Sequence, residues 1–201
     1  MNDDNNEDNI IKVILVGDSG VGKTSLINSF YCGKFTDTIS TQTSYFVNKR
    51  YTIDQIEYDI QVWDTPGQER YRSLTKLFLR GSNICILVYD ITHKESFLSL
   101  DFWIETIKEN LGDDPIIAIV GNKSDLYENE EIDEKDLIHY AESKGALYFL
   151  ESAKTRINHF SDHMLELVKK TVEKQNFNIN RRKTIRINNT NKRTRHNCQC
   201  H

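Results

Sequence analysis

No run of apolar residues in this 201-residue chain approaches the roughly 18 that a membrane-spanning helix needs. The first nine residues, rich in Asn and Asp, lack the basic and then apolar start of a secretory signal, so the body of the chain is expected in the cytosol. There is no internal repeat and no second glycine-rich unit, which leaves one domain with tails as the expectation. Cysteine is scarce: Cys32 and Cys85 lie far apart inside element-like segments and Cys198 and Cys200 sit at the terminus, a pattern that does not suggest a disulfide framework. Each end also lacks one sign of charge. Residues 1–9 carry Asp3, Asp4, Glu7 and Asp8 with no base, whereas residues 177–201 carry Arg181, Arg182, Lys183, Arg186, Lys192, Arg193 and Arg195 with no acid. The formal net charge of −4 therefore conceals a segregation. Residues 1–9 cannot offset their own ordering entropy and are expected to be disordered; residues 176–201, poor in apolar side chains, read as a flexible basic tail.

Against this background one stretch stands out. Gly17-Asp18-Ser19-Gly20-Val21-Gly22-Lys23-Thr24 reads G-x-x-x-x-G-K-T directly after the apolar run from Ile10 to Val16. A buried strand before it and a helix start after it are the setting that a phosphate-binding loop requires. Its glycines let successive backbone N–H groups turn inward at the positive end of the helix, Lys23 supplies a point charge for β- and γ-phosphate oxygens, and the Thr24 hydroxyl is placed to ligate Mg²⁺. The alternative is a glycine-rich turn with a chance Lys-Thr.

Along the chain, strands are predicted at about Ile10–Val16, Tyr45–Tyr51, Tyr58–Asp64, Ile84–Asp90, Ile116–Val120 and Leu147–Leu150. Tyr45–Tyr51 and Tyr58–Asp64, joined by Thr52 to Glu57, are close enough for a hairpin. Helices are expected at Lys23–Tyr31, at about 71–80, through Phe97, Leu100, Ile104, Ile107 and Leu111 up to Gly112, from Asp133 to Gly145, and through Phe160, Met164, Leu167, Val168 and Val172 to about 175. Phe35 to Ser44 reads as an exposed loop. Alternating strands and helices with continuously apolar strands predict an α/β fold, a mainly parallel six-stranded sheet flanked by about five helices, with ligand at the strands' carboxyl ends. Residues 10–175 form that domain. Asp64, ending one strand, suits a water-mediated second Mg²⁺ anchor or, equally simply, a cap for the next turn.

The base-reading residues decide among nucleotides. Asn122-Lys123-Ser124-Asp125 follows a strand end, and a carboxylate there accepts two hydrogen bonds from the N1–H and exocyclic amine of guanine, a paired donor face that adenine lacks. Taken together, Gly17 to Thr24, Asp64 to Gln68, Asn122 to Asp125 and Ser152-Ala153-Lys154 resemble the Ras superfamily of small GTPases, with matching order and spacing over residues 10–175, in a P-loop NTPase fold. Asp64-Thr65-Pro66-Gly67-Gln68-Glu69-Arg70-Tyr71, Arg80-Gly81, Val88-Tyr89-Asp90-Ile91-Thr92 and Ile39-Ser40-Thr41 are most similar to Rab patterns. The resemblance implies slow hydrolysis of GTP to GDP as a switch in vesicle traffic. It implies that Ser19, Gly20, Val21, Gly22, Lys23, Thr24 and Gly67 meet the phosphates, that Thr24, Thr41 and, through water, Asp64 hold Mg²⁺, and that Gln68 orients the attacking water. Phe35 would pack on the guanine, with Asn122, Lys123, Asp125, Ser152, Ala153 and Lys154 contributing to its recognition. Implied partners are an exchange factor, a GTPase-activating protein, a GDP dissociation inhibitor, a prenyltransferase with its escort protein, and effectors. No nucleic-acid partner is implied.

The chain departs from the Rab pattern in three places. Thr43-Ser44-Tyr45 precedes Phe46 where Gly-Val-Asp is usual, altering the effector-facing edge. Pro66 replaces the usual Ala, fixing φ and removing one N–H, so Pro66→Ala is expected to change the intrinsic rates of hydrolysis and nucleotide release, measured in single turnover. The terminus Cys198-Gln199-Cys200-His201 does not end on cysteine. Geranylgeranyl groups on Cys198 and Cys200 plus the basic stretch would satisfy the two-signal rule for anchoring at the cytoplasmic face of intracellular membranes, with a cytosolic pool. Metal binding by His196, Cys198, Cys200 and His201 is the competing reading, at spacing tight for a structural zinc site. His159 and His163, four apart on a helix without an intervening Glu, read as surface or packing residues. Two rival functions remain: a non-hydrolysing interaction module of the same fold, opposed by Gln68, Thr41 and Thr24, and a nucleotide kinase or ATPase, opposed by Asn122 to Asp125.

Overall fold

In a computed structural model, the described residues are 9–35, 45–66, 77–156 and 159–194, with side chains described as far as 177. Six strands form one sheet: β1 (Ile10–Val16), β2 (Tyr45–Ile53), β3 (Ile56–Asp64), β4 (Ile84–Asp90), β5 (Ile116–Asn122) and β6 (Leu147–Leu150). Their spatial order is β2-β3-β1-β4-β5-β6, and only β2 runs antiparallel. Helices α1 (Lys23–Cys32), α2 (Lys94–Leu98), α3 (Leu100–Leu111), α4 (Glu134–Lys144) and α5 (His159–Thr194) connect or follow them, with a 3₁₀ segment at Ser124–Asn129. The expected α/β architecture is the observed one.

Strand periodicity explains why the sheet is covered on both sides. In β1, Ile11, Val13 and Leu15 face a core shared with Leu26, Ile27 and Phe30 of α1 and Phe160, Met164 and Leu167 of α5. Ile14 and Val16 face the opposite core, with Leu100, Trp103 and Ile107 of α3 and Leu137 and Ala141 of α4. All seven residues of β4 are buried, because a central parallel strand has no wet face. The chain leaves β1 for β3 on one side and reaches β4 on the other, so β1 and β4 flank the reversal of strand order. A crevice opens beyond the carboxyl ends at such a point.

Three element boundaries differ from the sequence-based expectation. The β2–β3 hairpin is tighter: Ile53 pairs with Ile56, and only Asp54 and Gln55 turn, both at positive φ (49° and 66°). Paired positive φ values make a two-residue turn whose twist matches that of the strands, reached here without the usual Asn-Gly. The helix expected through Phe97 to Leu111 is broken at Ser99 into α2 and α3, with His93 capping α2 by accepting from the Ser96 N–H at 3.3 Å. Helix α5 continues to Thr194, past the end near 175 and through residues read as a flexible tail. No glycine or proline follows Gly145, so no residue of either type interrupts it. Its described buried residues end at Val172.

At the start of α4, Asp133 accepts from the Asp136 N–H at 2.8 Å, and Gly145 in the left-handed region ends the helix, both as the sequence suggests. Asp133→Ala is expected to lower stability by about 1 kcal/mol in urea unfolding.

Candidate functional site

The segments that follow β1, β3, β4, β5 and β6 meet at the carboxyl end of the sheet. The first, between β1 and α1, lies directly on its neighbours. Gly17 has φ +141°, and a Cβ there would sit 2.1 Å from the Val88 carbonyl oxygen of β4; Gly22 has φ +97°, with a Cβ 2.2 Å from the Asn122 amide. Only glycine fits either place. Gly22 also caps α1 without a side chain, at the positive end of a helix where an anion site forms. Ser19 and Gly20 lie exposed at the loop's crest, and Val21 is buried beneath it.

Lys23 is folded over this loop. Its Nζ donates to the carbonyl oxygens of Gly17 (2.8 Å) and Asp18 (2.7 Å), and only 5% of the residue is exposed. Burial pushes its pKa down from 10.5 to about 8, opposed by the nearby carboxylates of Asp64 and Asp18. The unfolded chain therefore holds this proton more tightly between those values, and stability of the nucleotide-free protein should rise as pH rises from about 8 to about 10.5. The gain is bounded at about 3 kcal/mol, checked by urea unfolding across that window, with Lys23→Met expected to flatten the rise.

Beside the lysine, Thr24 Oγ1 donates to Asp64 Oδ2 at 2.6 Å, joining the start of α1 to the buried end of β3. Thr65 Oγ1 donates to the Leu15 carbonyl oxygen at 2.6 Å, fixing that strand end against β1, and Pro66 is buried next to it. Hydroxyl and carboxylate oxygens at this separation form a hard donor set that suits Mg²⁺.

On the other side, Asn122 acts as a bracket. Its Nδ2 donates to the Val21 carbonyl oxygen (2.8 Å) and its Oδ1 accepts from the Ala153 N–H (3.3 Å), tying the phosphate loop to the segment after β6. Lys123, at φ +64°, reaches Asp90 Oδ2 at 2.6 Å. Ser152 Oγ donates to Asp125 Oδ1 at 2.5 Å while accepting from the Thr155 N–H at 3.1 Å, so the half-buried Asp125 carboxylate is aimed by a fully buried hydroxyl. Lys154 is exposed, and Phe35 packs half-buried against the α1/α5 core.

The structure thus gathers Ser19 to Thr24, Asp64, Asn122, Lys123, Asp125, Ser152, Ala153 and Lys154 around one crevice. Thr41, Gly67, Gln68, Cys198 and Cys200 lie outside the described residues, as do residues 71–76 of the helix expected at 71–80. Two supports escaped the sequence reading. Trp103 of α3 donates from Nε1 to Asp18 Oδ1 at 3.3 Å, holding the phosphate loop from the opposite core. Asp90 accepts from the Thr92 N–H (2.9 Å) and Oγ1 (2.8 Å) while holding Lys123. An acid at the end of an apolar strand with Thr two residues further on was the available signal.

A phosphate cradle, a hard-ligand pair and a carboxylate aimed across one sheet end define the class, a P-loop domain that reads guanine nucleotides. Comparison with known proteins agrees. Residues 12–174 match the Ras family. The chain is 41% identical over 163 residues to Ras-related protein Rab-21 of Geodia cydonium, covering 81% of this chain and 71% of that one. It is 41% identical over 149 residues to human Ras-related protein Rab-31 (74% and 76% covered), and 35% identical over 173 residues to RABA4b of Arabidopsis thaliana (84% and 77% covered). The chain belongs to the Rab small GTPases of the Ras superfamily. It binds GTP and GDP, hydrolyses GTP, and acts in membrane traffic with the regulators and effectors such a switch requires. Among the described residues no helix is long and apolar enough to cross a membrane.

Proposed function

We propose that the crevice holds GTP with Mg²⁺, and that Gln68 directs water at the γ-phosphate in a chain whose lipidated tail places the switch at the cytoplasmic face of an intracellular membrane. The observation that supports this reading best is the Asn122 bracket, which fixes the phosphate loop and the base-reading segment in one frame. Ser19, Gly20, Val21, Gly22 and Gly67 offer backbone donors to the phosphates, and Lys23 exchanges its two carbonyl partners for phosphate oxygens. Thr24 and Thr41 hold Mg²⁺ directly and Asp64 does so through water. The chemistry such an ion would supply there is neutralisation of charge on the β- and γ-phosphates. Asp125, aimed by Ser152, accepts from guanine, while Asn122, Lys123, Ala153, Lys154 and Phe35 enclose the base.

Phosphoryl transfer needs positioning and charge neutralisation more than covalent chemistry, so this set suffices for slow turnover, and a GTPase-activating protein raises it by roughly 10³ to 10⁵ where it lends an arginine. Loss of the γ-phosphate frees Thr41 and Gly67, and the partner surface relaxes. An exchange factor reloads the site, and a GDP dissociation inhibitor carries the GDP form through the cytosol. Cys198 and Cys200, modified by a prenyltransferase with its escort protein, anchor the chain beside its seven-residue basic set. The test joins two measurements: single-turnover GTP hydrolysis, lost in Gln68→Leu, and localisation of the full chain, released to the cytosol by Cys198→Ser with Cys200→Ser. Undiminished hydrolysis in the first variant, or unchanged localisation in the second, would contradict the respective half.

A further inference from the structure

Behind the base-reading segment lies a cluster that nucleotide chemistry does not use. Glu151 directly follows β6, is fully buried, and lies against the two histidines of α5's first turns. Its Oε1 lies 2.5 Å from His163 Nδ1 and 3.4 Å from His159 Nδ1, while Oε2 is buried without a hydrogen-bond partner among the described residues. A buried carboxylate oxygen with nothing to satisfy it is costly, and such an exception calls for an explanation such as an ion. The spacing of four brings His159 and His163 to one side of α5, with ring centroids 4.5 Å apart, and Phe149 stacks on His163 at 4.0 Å, limiting its rotation. One ligand atom from each of the three residues falls within 4.8 Å of the others. In a tetrahedral site with metal–ligand distances of about 2.1 Å, neighbouring ligand atoms lie roughly 3.4 Å apart. The Glu151–His159 separation already matches that, and the Glu151–His163 pair has to open by somewhat less than 1 Å. The His159 side chain is 47% exposed, which gives the cluster a mouth to solvent.

We propose that Glu151, His159 and His163 form a binding site for a divalent transition-metal ion, with two imidazole nitrogens and one carboxylate as ligands and solvent in the fourth position. Such a nitrogen and carboxylate set suits Zn²⁺ or Co²⁺ and disfavours Mg²⁺, so the site is distinct from the one near Thr24. Its second consequence rests on the proposed nucleotide reading. The Glu151 N–H donates to the Gly121 carbonyl oxygen (2.8 Å), its own carbonyl oxygen accepts from the Ser124 N–H (2.9 Å), and the next residue, Ser152, aims Asp125. An ion that pins Glu151 to α5 stiffens this segment and slows release of GDP.

The probe is Co²⁺ added to the full chain carrying Cys198→Ser and Cys200→Ser, loaded with GDP in excess Mg²⁺. One equivalent is expected to bind with visible absorption bands of tetrahedral character, and His159→Ala, which changes an exposed side chain, should remove that equivalent. Glu151→Gln should do the same while GDP retention reports that the variant is folded. No visible bands, or an unchanged stoichiometry in His159→Ala, would overturn the site. Zn²⁺ should slow GDP release in the parent chain and not in His159→Ala; equal rates with metal bound would overturn the coupling alone. A chain that binds Co²⁺ but retains no guanine nucleotide would instead count against the function proposed above.

Discussion

Asp125→Asn is expected to weaken GDP binding by about 10²- to 10⁴-fold while leaving the fold intact. The carboxylate has two acceptor oxygens for the two donors on the guanine edge, and each charge-assisted hydrogen bond is worth about 1.5–3 kcal/mol. An amide presents one acceptor and one donor, so one of the two bonds is lost and a donor is turned against a donor. Asp125 is half-buried in a short 3₁₀ segment rather than in either core, which is why stability should barely change. Ser152→Ala should act in the same direction and less, by about tenfold, because it leaves the carboxylate in place and removes only the hydroxyl that aims it. Titration of fluorescent GDP into both variants checks the order. A large loss in Ser152→Ala beside little loss in Asp125→Asn would mean that the hydroxyl, and not the carboxylate, makes the contact with the base.

Gly17→Ala is expected to cost stability on the order of 3 kcal/mol and to abolish nucleotide retention. Its Cβ would lie 2.1 Å from a carbonyl oxygen of β4, a central strand with no exposed residue, so the neighbour cannot give way as a flexible side chain could. The positive φ adds to that cost. Gly33→Ala separates the two contributions, since Gly33 also has positive φ but meets nothing within 4 Å, and its cost should stay at about 1–2 kcal/mol. Similar urea midpoints for the two variants would show that backbone strain alone sets the requirement for glycine at residue 17.

The sheet and the crevice were legible for a physical reason. A strand buried on both faces has to be apolar throughout, as at Ile84 to Asp90, and a phosphate loop has to place glycine where its backbone meets Val88 and Asn122. Such constraints act over a few consecutive residues and leave short patterns. Contacts between distant segments leave none: Trp103 on Asp18 and Lys123 on Asp90 join elements that composition and spacing treat separately. Trp103 in particular lies on the apolar side of α3, where its indole reads as core, and only packing shows that its N–H crosses to the phosphate loop. His159 and His163 read as surface or packing residues because the carboxylate beside them, Glu151, follows β6 and lies outside their own helix. The two-residue turn at Asp54 and Gln55 left no signal because neither is a glycine or an asparagine, the residues that usually betray such a hairpin.

The most direct measurement is equilibrium competition between GTP and ATP for the purified chain in the presence of Mg²⁺. A site whose buried hydrogen-bonding groups match only one base should prefer GTP by about 10⁴-fold or more. Comparable affinity for ATP, or failure to retain either nucleotide, would contradict the assignment of Asp125 as the group that reads the base.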